Sequence, residues 1–144
     1  MQGPNARPPA IPIAAPAETL PETLPALLIA LWQRIAEGVR ERWTPWGLPS
    51  LATVGPTGEP QSRVLSIKSV DSQGRRFGFH TDVRSDKVEA LTVDPRASIL
   101  FWDPFDAVEA RFAGRASLFR GERHAWRDAS PLSRSAAAVE LAPG

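Results

Sequence analysis

The sequence predicts a mainly β protein with flanking helices, built as an antiparallel barrel of about six short strands. Two observations lead to this prediction. Short apolar segments follow one another between residues 50 and 120, and turns rich in Gly, Pro and Asp separate them. The connections are too short for the repeated crossovers that parallel strands need. Because such barrels bind oligonucleotides, bind flavins or serve structural roles, the fold alone does not decide the function.

The first element is an amphipathic helix. Residues 1–20 are rich in Pro and Ala and show no apolar period, so they predict a flexible leader, with residues 21–144 forming the domain. From Leu24 onward, apolar residues follow helical spacing while charged residues fill the other face, and Pro45 cannot continue the helix. The pattern therefore predicts a helix over residues 24–43, packed outside the barrel.

The elements that follow are short. The first two strands form a hairpin, and a short helix follows the third strand, with Asp82 or Ser85 as its cap. The segment after residue 106 predicts either two strands or one strand bent at Gly114. The composition from Glu122 onward is helical, with Trp126 as its largest apolar anchor. The predicted bounds are 50–54, 61–68, 75–81, 97–102, 107–113 and 115–120 for strands, 69–74 for a polar turn, and 82–93 for the short helix.

The composition excludes several kinds of site. Seventeen basic residues against sixteen acidic ones leave a formal charge of +1, so we expect no general surface for nucleic acid. The chain has no Cys and only two His, His80 and His124, so we expect no disulfide, thiolate site or metal centre. No stretch reaches the roughly 18 apolar residues of a membrane span, and the N-terminus does not resemble a secretory signal. We therefore expect a cytoplasmic protein without a membrane partner.

Two basic residues lie in the second predicted strand. Arg63 and Lys68 are five positions apart in the sequence, and side chains alternate along an ideal strand, so the two should point to opposite sides. To bind one anion they need a β-bulge between them, or Lys68 must reach around the strand end. The alternative is an ordinary edge strand whose cations point into solvent and discourage pairing with another sheet.

A second polar cluster spans residues 81–87, where a predicted strand ends and a helix begins. Backbone N–H groups and the positive end of the helix dipole favour an anion at such a place. Thr81 and Ser85 add hydroxyl donors, and Arg84 or Lys87 adds positive charge. The alternative is a simple helix cap with solvated charges. Two such clusters in consecutive elements favour a phosphate site, because a phosphate needs donors from several segments.

Four stretches occur in a distinctive order: LATVGPTGEPQSRVLSIK, FHTDVRSDK, LTVDPRASILFW and VEARFAGRA. In this order they resemble the pyridoxamine 5′-phosphate oxidase-like family of FMN-binding split barrels, over roughly residues 25–135. The step Trp102-Asp103-Pro104 resembles a bacterial and cyanobacterial flavin-binding subgroup rather than the oxidase proper. The resemblance implies a six-stranded antiparallel split β-barrel with FMN as its cofactor. It also implies a homodimer with FMN at the interface.

The resemblance further implies which residues bind the cofactor. Arg63 is expected on the FMN phosphate, with Ser85 and Lys87 completing the cradle, and the backbone of residues 64–65 is expected against the isoalloxazine ring. Lys68 is expected at the polar edge of that ring. The full implied set is Arg63, Val64, Leu65, Ser66, Lys68, His80, Thr81, Ser85, Lys87 and Glu109.

Two positions near the cofactor depart from the family pattern. Glu109 stands where the family usually has Gln, on a strand that reaches the cofactor from the partner subunit. A carboxylate cannot donate a hydrogen bond to the flavin unless it is protonated. Asp86 occupies a position that is often basic in the family, which weakens phosphate binding locally.

These observations predict an FMN-dependent oxidoreductase of unknown substrate, in which the flavin itself carries the redox chemistry. One alternative is a flavin-binding or flavin-sensing protein without turnover. Another is the true oxidase, which we disfavour because Ser130 stands where the family has an Arg for the substrate phosphate, with Arg134 as a loose substitute. A deazaflavin or haem ligand is a further alternative. A nucleic-acid-binding barrel is disfavoured by the charge balance and by the lack of an aromatic and basic stripe.

Overall fold

A computed structural model describes residues 21–41, 43–120 and 136–143. The predicted leader at residues 1–20 lies outside the described residues, as do His124, Trp126, Ser130 and Arg134. Within the described part, no helix is long and apolar enough to cross a membrane. The same part contains no group of His, Asp and Glu side chains that could hold a metal ion.

Two helices flank one antiparallel sheet in this part of the chain. In chain order the elements are α1 (Leu24–Arg40), β1 (Ser50–Val54), β2 (Pro60–Val64), β3 (Ile67–Asp71), β4 (Arg76–Asp82), α2 (Asp86–Val93), β5 (Arg96–Asp103), β6 (Val108–Arg120) and β7 (Ala136–Pro143). The strand order in the sheet is β2-β1-β5-β6-β7-β4-β3. Every neighbouring pair is antiparallel. The predicted mainly β fold with flanking helices is therefore confirmed.

The amphipathic helix predicted first is α1. Its first turn contains Pro25, whose missing N–H leaves no intrahelical hydrogen bond unmade. The helix buries Trp32, Ile35 and Gly38, which follow one another at helical spacing, and the first two belong to the hydrophobic core.

Helix α1 ends at Arg40 and not at residue 43. The reason is a close approach between the helix and the chain that follows it. A Cβ on Gly38 would lie 2.3 Å from the carbonyl carbon of Trp46, so only glycine lets these two backbones meet. The chain therefore has to turn back directly after the helix.

An aromatic cluster joins α1 to the sheet. Trp32 stacks on Phe77 of β4 with ring centroids 5.0 Å apart, and Phe77 meets Phe112 of β6 edge-on, also at 5.0 Å. Trp46 stacks on Phe101 of β5 at 5.7 Å. Such pairs contribute about 0.5–1.5 kcal/mol beyond the area that they bury. The cluster therefore fixes α1 on the inner face of the sheet.

Asp103 ties the end of β5 to the chain that follows α1. Its buried carboxylate accepts a hydrogen bond from Trp46 Nε1 at 2.7 Å and another from the N–H of Phe105 at 3.0 Å. Arg34 of α1 lies 3.8 Å from the same carboxylate and forms an ion pair with Asp106. Because a buried carboxylate needs donors of this kind, the group holds α1, Trp46 and the turn after β5 in one arrangement.

The prediction of one strand over residues 61–68 is wrong. Strand β2 ends at Val64, and the chain then pairs irregularly with residues that precede β1. The N–H of Leu65 donates to the carbonyl of Pro49 at 3.0 Å. Because Pro49 has no N–H to donate in return, the regular ladder cannot continue, and a new strand starts at Ile67.

Other bounds also differ from the prediction. Helix α2 begins at Asp86, after Ser85 as its N-cap, and not at residue 82. Strand β3 extends to Asp71, so the turn predicted at residues 69–74 is shorter. Of the two alternatives for the segment after residue 106, the single long strand is observed, as β6.

The prediction of helix after residue 122 is wrong for residues Ala136–Pro143, which form β7. The Ala-rich composition favours a helix in isolation. In the fold, however, β7 pairs with β4 on one side and with β6 on the other, so tertiary pairing outweighs local propensity. Residues 122–135 lie outside the described residues.

We expect Gly38→Ala to lower the free energy of unfolding by about 1–3 kcal/mol, as overpacked sites do. The added Cβ would meet backbone atoms of Trp46, which cannot move aside as a flexible side chain can. Urea denaturation measures the effect. Glu37→Ala, at the neighbouring exposed position, is the control and should stay within about 0.5 kcal/mol of the parent. Equal stabilities of the two variants would contradict this explanation of where α1 ends.

Candidate functional site

Arg63 lies on the buried face of the hairpin formed by β1 and β2. It is the cross-strand partner of Leu51, and directly opposed residues in an antiparallel pair point to the same side. Leu51 is fully buried, and Thr53, two positions further along β1, is 4% exposed. Arg63 therefore enters the interior from the edge of the sheet, partly buried, instead of extending into solvent.

Three neutral oxygens hold the guanidinium of Arg63. Its Nη1 donates to Thr53 Oγ1 at 2.7 Å and to the carbonyl oxygen of Leu51 at 3.3 Å. Its Nη2 donates to Gln61 Oε1 at 2.9 Å. Since none of these acceptors is ionised, they orient the guanidinium without balancing its positive charge.

A second hydrogen-bonded group connects the end of β4 with the start of α2. Lys87 Nζ donates to Thr81 Oγ1 at 2.9 Å, and Thr81 Oγ1 lies 2.9 Å from Ser85 Oγ. Thr81 is buried, while Ser85 and Lys87 are partly buried. Although Ser85 is the N-cap of α2, its side chain makes no cap hydrogen bond. The hydroxyl of Ser85 is therefore directed to Thr81 and not to the backbone N–H groups of α2.

The two groups approach each other near the N-terminus of α2. Burial lowers the pKa of Lys87 below its ordinary value of 10.5, and the charge of Arg63 lowers it further, while Asp86 and Asp82 act in the opposite direction. Burial also lowers the pKa of Arg63, and Asp86 partly offsets this. In the part of the chain that the structure describes, neither cation forms an ion pair. Two partly buried cations that repel each other favour an anion between them.

Lys68 and His80 form a separate pair. The pairing of β3 with β4 shifts register between Ile67 and Ser69, so Lys68 sits at the irregularity that the sequence reasoning left open. His80 on β4 is partly buried, and its pKa is lowered from 6.5 by burial first and by the charge of Lys68 second. The electrostatic interactions therefore relate Arg63 to Lys87, and Lys68 to His80.

The other implied residues lie around these two pairs. Val64, Leu65 and Ser66 form the link between β2 and β3, and the N–H of Leu65 is already bound within the protein. Glu109 is exposed on β6 opposite Trp102. The strand registers place it on the face of the sheet that is opposite to Arg63.

Thr53 and Gln61 contact the guanidinium of Arg63, and neither was predicted from the sequence. In the sequence Thr53 resembles an ordinary β-branched strand residue, and Gln61 resembles an exposed residue near a strand start. The register of the β1–β2 hairpin is the information that would have identified these two residues. Thr53 and Gln61 are cross-strand partners, one step beyond the Leu51–Arg63 pair on the same face, so both lie beside the guanidinium.

Comparison with known proteins identifies the family. Residues 36–143 match the family model described as pyridoxamine 5′-phosphate oxidase. The chain belongs to this family. The matched region includes the seven described strands, α2, and the pairs Arg63–Lys87 and Lys68–His80, so the pyridoxamine 5′-phosphate oxidase family model covers the described sheet and the candidate site.

Individual relatives of the family differ in how much they share with the chain. A pyridoxine/pyridoxamine 5′-phosphate oxidase of Bordetella petrii is 39% identical over 74 residues, which is 51% of this chain but only 34% of that protein. A solved pyridoxamine 5′-phosphate oxidase-related, FMN-binding protein of Nostoc punctiforme superposes with a TM-score of 0.65 at 20% identity, over 79% of this chain and 78% of that one. PhzG of Burkholderia lata, solved with tetrahydrophenazine-1-carboxylic acid, gives 0.60 at 21% identity, over 85% and 78% of the two chains. These two structures share the fold.

We expect His80 to titrate below pH 6.5 in an NMR titration of its ring protons, with His124→Gln used for assignment. Lys68→Met should raise the midpoint, but not to 6.5, because burial is the larger cause. Lys87→Met, the control at the other Lys of the chain, should not shift it. A midpoint at or above 6.5 in the parent would contradict the assigned environment.

The same pKa shift has a consequence for stability. As the pH falls, the unfolded chain takes up a proton on His80 before the folded chain does. The stability that neutral His80 contributes is therefore present above about pH 6.5 and decreases as the pH falls toward the folded-state pKa.

Proposed function

We propose that the chain binds FMN and that Arg63, Ser85 and Lys87 hold the FMN phosphate, with Thr81 supporting Lys87. The observation that carries this proposal is the approach of two partly buried cations to the N-terminus of α2, where no carboxylate of the described residues forms an ion pair with either cation. A phosphate at this place accepts charge-assisted hydrogen bonds, which are about twice as strong as neutral ones. The helix N-terminus adds N–H donors and favourable dipole interactions.

The donor set fits a phosphate monoester. A guanidinium has five N–H donors, and among the described residues Arg63 donates to three acceptors. The ammonium of Lys87 has three donors, of which one is bound to Thr81. Asp86, the first residue of α2, offsets part of the positive charge. The remaining positive charge is suited to a single phosphate group.

We assign the flavin ring to the region beside the phosphate group, where Lys68, His80 and residues 64–66 lie. His80 is neutral at pH 7, so it can donate or accept a hydrogen bond at the ring without adding charge. FMN, when bound, supplies the redox chemistry of an oxidoreductase. The residues of the chain bind the phosphate, orient the ring and exclude water.

We also assign a homodimer, in which Glu109 reaches the cofactor of the second copy. Val64 and Trp102 lie on the outward face of the sheet and are 64% and 48% exposed. Large exposed apolar side chains on a strand face are typical of subunit contacts. Sedimentation equilibrium at micromolar concentration measures the mass, and we expect that of a dimer. A monomer that still binds FMN would contradict this assignment.

Replacement of the two cations tests the phosphate assignment. We expect Arg63→Ala and Lys87→Ala each to weaken FMN binding about 10- to 100-fold, since each removes hydrogen bonds to a charged group. Quenching of flavin fluorescence on titration measures the affinity. Riboflavin, which lacks the phosphate, should bind the parent more weakly than FMN and should be insensitive to both changes. Arg84→Ala is the matched control, because Arg84 lies in the same turn but is bound to Asp82 and exposed.

Two outcomes of these titrations would overturn the proposal. The first is a parent protein that binds FMN no better than riboflavin. The second is a double variant, Arg63→Ala with Lys87→Ala, that keeps the affinity of the parent. Circular dichroism melting confirms that the variants remain folded.

The same FMN-loaded protein distinguishes an oxidoreductase from a flavin-binding protein without turnover. We expect NADH or NADPH to bleach the flavin absorbance under argon and air to restore it. A flavin that neither nucleotide reduces, although dithionite does, would favour the role without turnover.

A further inference from the structure

A chain of side-chain hydrogen bonds runs along the β1–β2 hairpin and ends at Arg63. Thr57 Oγ1 donates to Glu59 Oε2 at 2.6 Å, and Gln61 Nε2 donates to Glu59 Oε1 at 2.8 Å. Gln61 Oε1 then accepts the bond from Arg63 Nη2 at 2.9 Å. Alternate residues along an extended segment share a face, which is why residues 59, 61 and 63 can connect in this way.

The chain of hydrogen bonds has one allowed orientation. The carboxylate of Glu59 accepts only, and its pKa is lowered by the hydroxyl of Thr57, so it stays ionised at neutral pH. It therefore binds the NH₂ end of the Gln61 carboxamide, which turns the oxygen of that carboxamide toward Arg63. A flipped carboxamide would place one donor against the guanidinium and an acceptor against the carboxylate.

Thr53 holds the other side of the same guanidinium. The hydroxyl of Thr53 accepts a hydrogen bond from Arg63 Nη1 at 2.7 Å. Thr53 lies on the neighbouring strand β1 and is 4% exposed. The two terminal nitrogens of Arg63 are thus bound separately, one by Thr53 and one by Gln61. A guanidinium bound at both nitrogens has little freedom to rotate.

The geometry points to Gln61 and Thr53 as positioning residues that set the orientation of Arg63 for an anion, with Glu59 orienting the carboxamide of Gln61. This inference rests on the proposed phosphate site and deepens it, because it assigns part of the phosphate affinity to side chains of the hairpin that do not themselves touch the phosphate. A side chain that is already ordered loses less conformational freedom when it binds, so a preorganised Arg63 binds an anion more tightly.

The absence of a side chain at Gly55 leaves room for the carboxylate of Glu59. A Cβ at Gly55 would lie 1.9 Å from Glu59 Oε1, and the N–H of Gly55 donates to the carbonyl of Glu59 at 2.7 Å. Since the atom in the way is the end of a flexible side chain, Gly55→Ala would displace the carboxylate and leave the hairpin formed. Glycine at this position therefore keeps Glu59 in place beside Gln61.

The affinities for FMN and for riboflavin test the inference. We expect Gln61→Ala and Thr53→Val each to weaken FMN binding about 3- to 10-fold and to leave riboflavin binding unchanged. Gly55→Ala should act in the same direction, but more weakly. Thr53→Ser keeps the hydroxyl, so this variant should bind FMN as tightly as the parent does. Ser62→Ala, on the exposed face of the same strand, is the matched control and should change neither affinity.

A double-mutant cycle with Arg63→Ala separates positioning from a general structural effect. In the Arg63→Ala protein, Gln61→Ala should cause no further loss of FMN affinity, because its effect passes through Arg63. A loss that persists there, or a parallel loss of riboflavin affinity, would overturn the positioning role. If Arg63→Ala weakens FMN binding while Gln61→Ala and Thr53→Val do not, the phosphate site stands and only this inference fails. If the parent shows no preference for FMN over riboflavin, the phosphate site itself fails.

Discussion

The carboxylate of Asp103 is the group on which the interior arrangement depends. It is buried at the end of β5, and it is satisfied by the indole N–H of Trp46 and by the backbone after the strand. A buried carboxylate that lost these donors would be strongly destabilising. The chain between α1 and β1 must therefore pass where Trp46 reaches Asp103. Arg34, which is paired with Asp106, brings the middle of α1 to the same point.

This constraint extends to the candidate site through the register of the hairpin. Once Trp46 is fixed, β1 begins only a few residues later, and its pairing with β2 places Arg63 opposite Leu51. The same register brings Thr53 and Gln61 to the guanidinium. The second half of the site has a local origin, because Thr81, Ser85 and Lys87 follow one another across a single turn.

Much of the candidate site could be proposed from the sequence, for a physical reason that also explains what was missed. Arg63 and Lys87 stand out because charged side chains at an otherwise apolar strand and at a helix start require an explanation. Thr53 gives no such signal, since its hydroxyl is unremarkable in a strand until the register is known. The break after Val64 results from the missing N–H of Pro49, which lies in a different segment from the strand it interrupts.

The fold itself was predictable wherever local pattern and tertiary environment agree. Helix α1 has a clear apolar face, but the predicted end at residue 43 is wrong because Gly38 meets the backbone of Trp46, a close approach that the apolar spacing does not reveal. In the Ala-rich segment of β7, local preference and tertiary environment disagree. Its local preference is helical, and its two neighbours in the sheet decide its conformation.

The position of β7 has a consequence for biosynthesis. It is the last described strand to be translated, yet it lies between β6 and β4 in the sheet. Until it emerges from the ribosome, the nascent chain exposes two unpaired strand edges, which are templates for association with other chains. The contacts around Arg63 and Lys87 lie within residues 51–87 and involve short loop closures, so they are available before translation is complete. The edges of β6 and β4 therefore stay unpaired until the end of this region is made, while the contacts of the candidate site can form earlier.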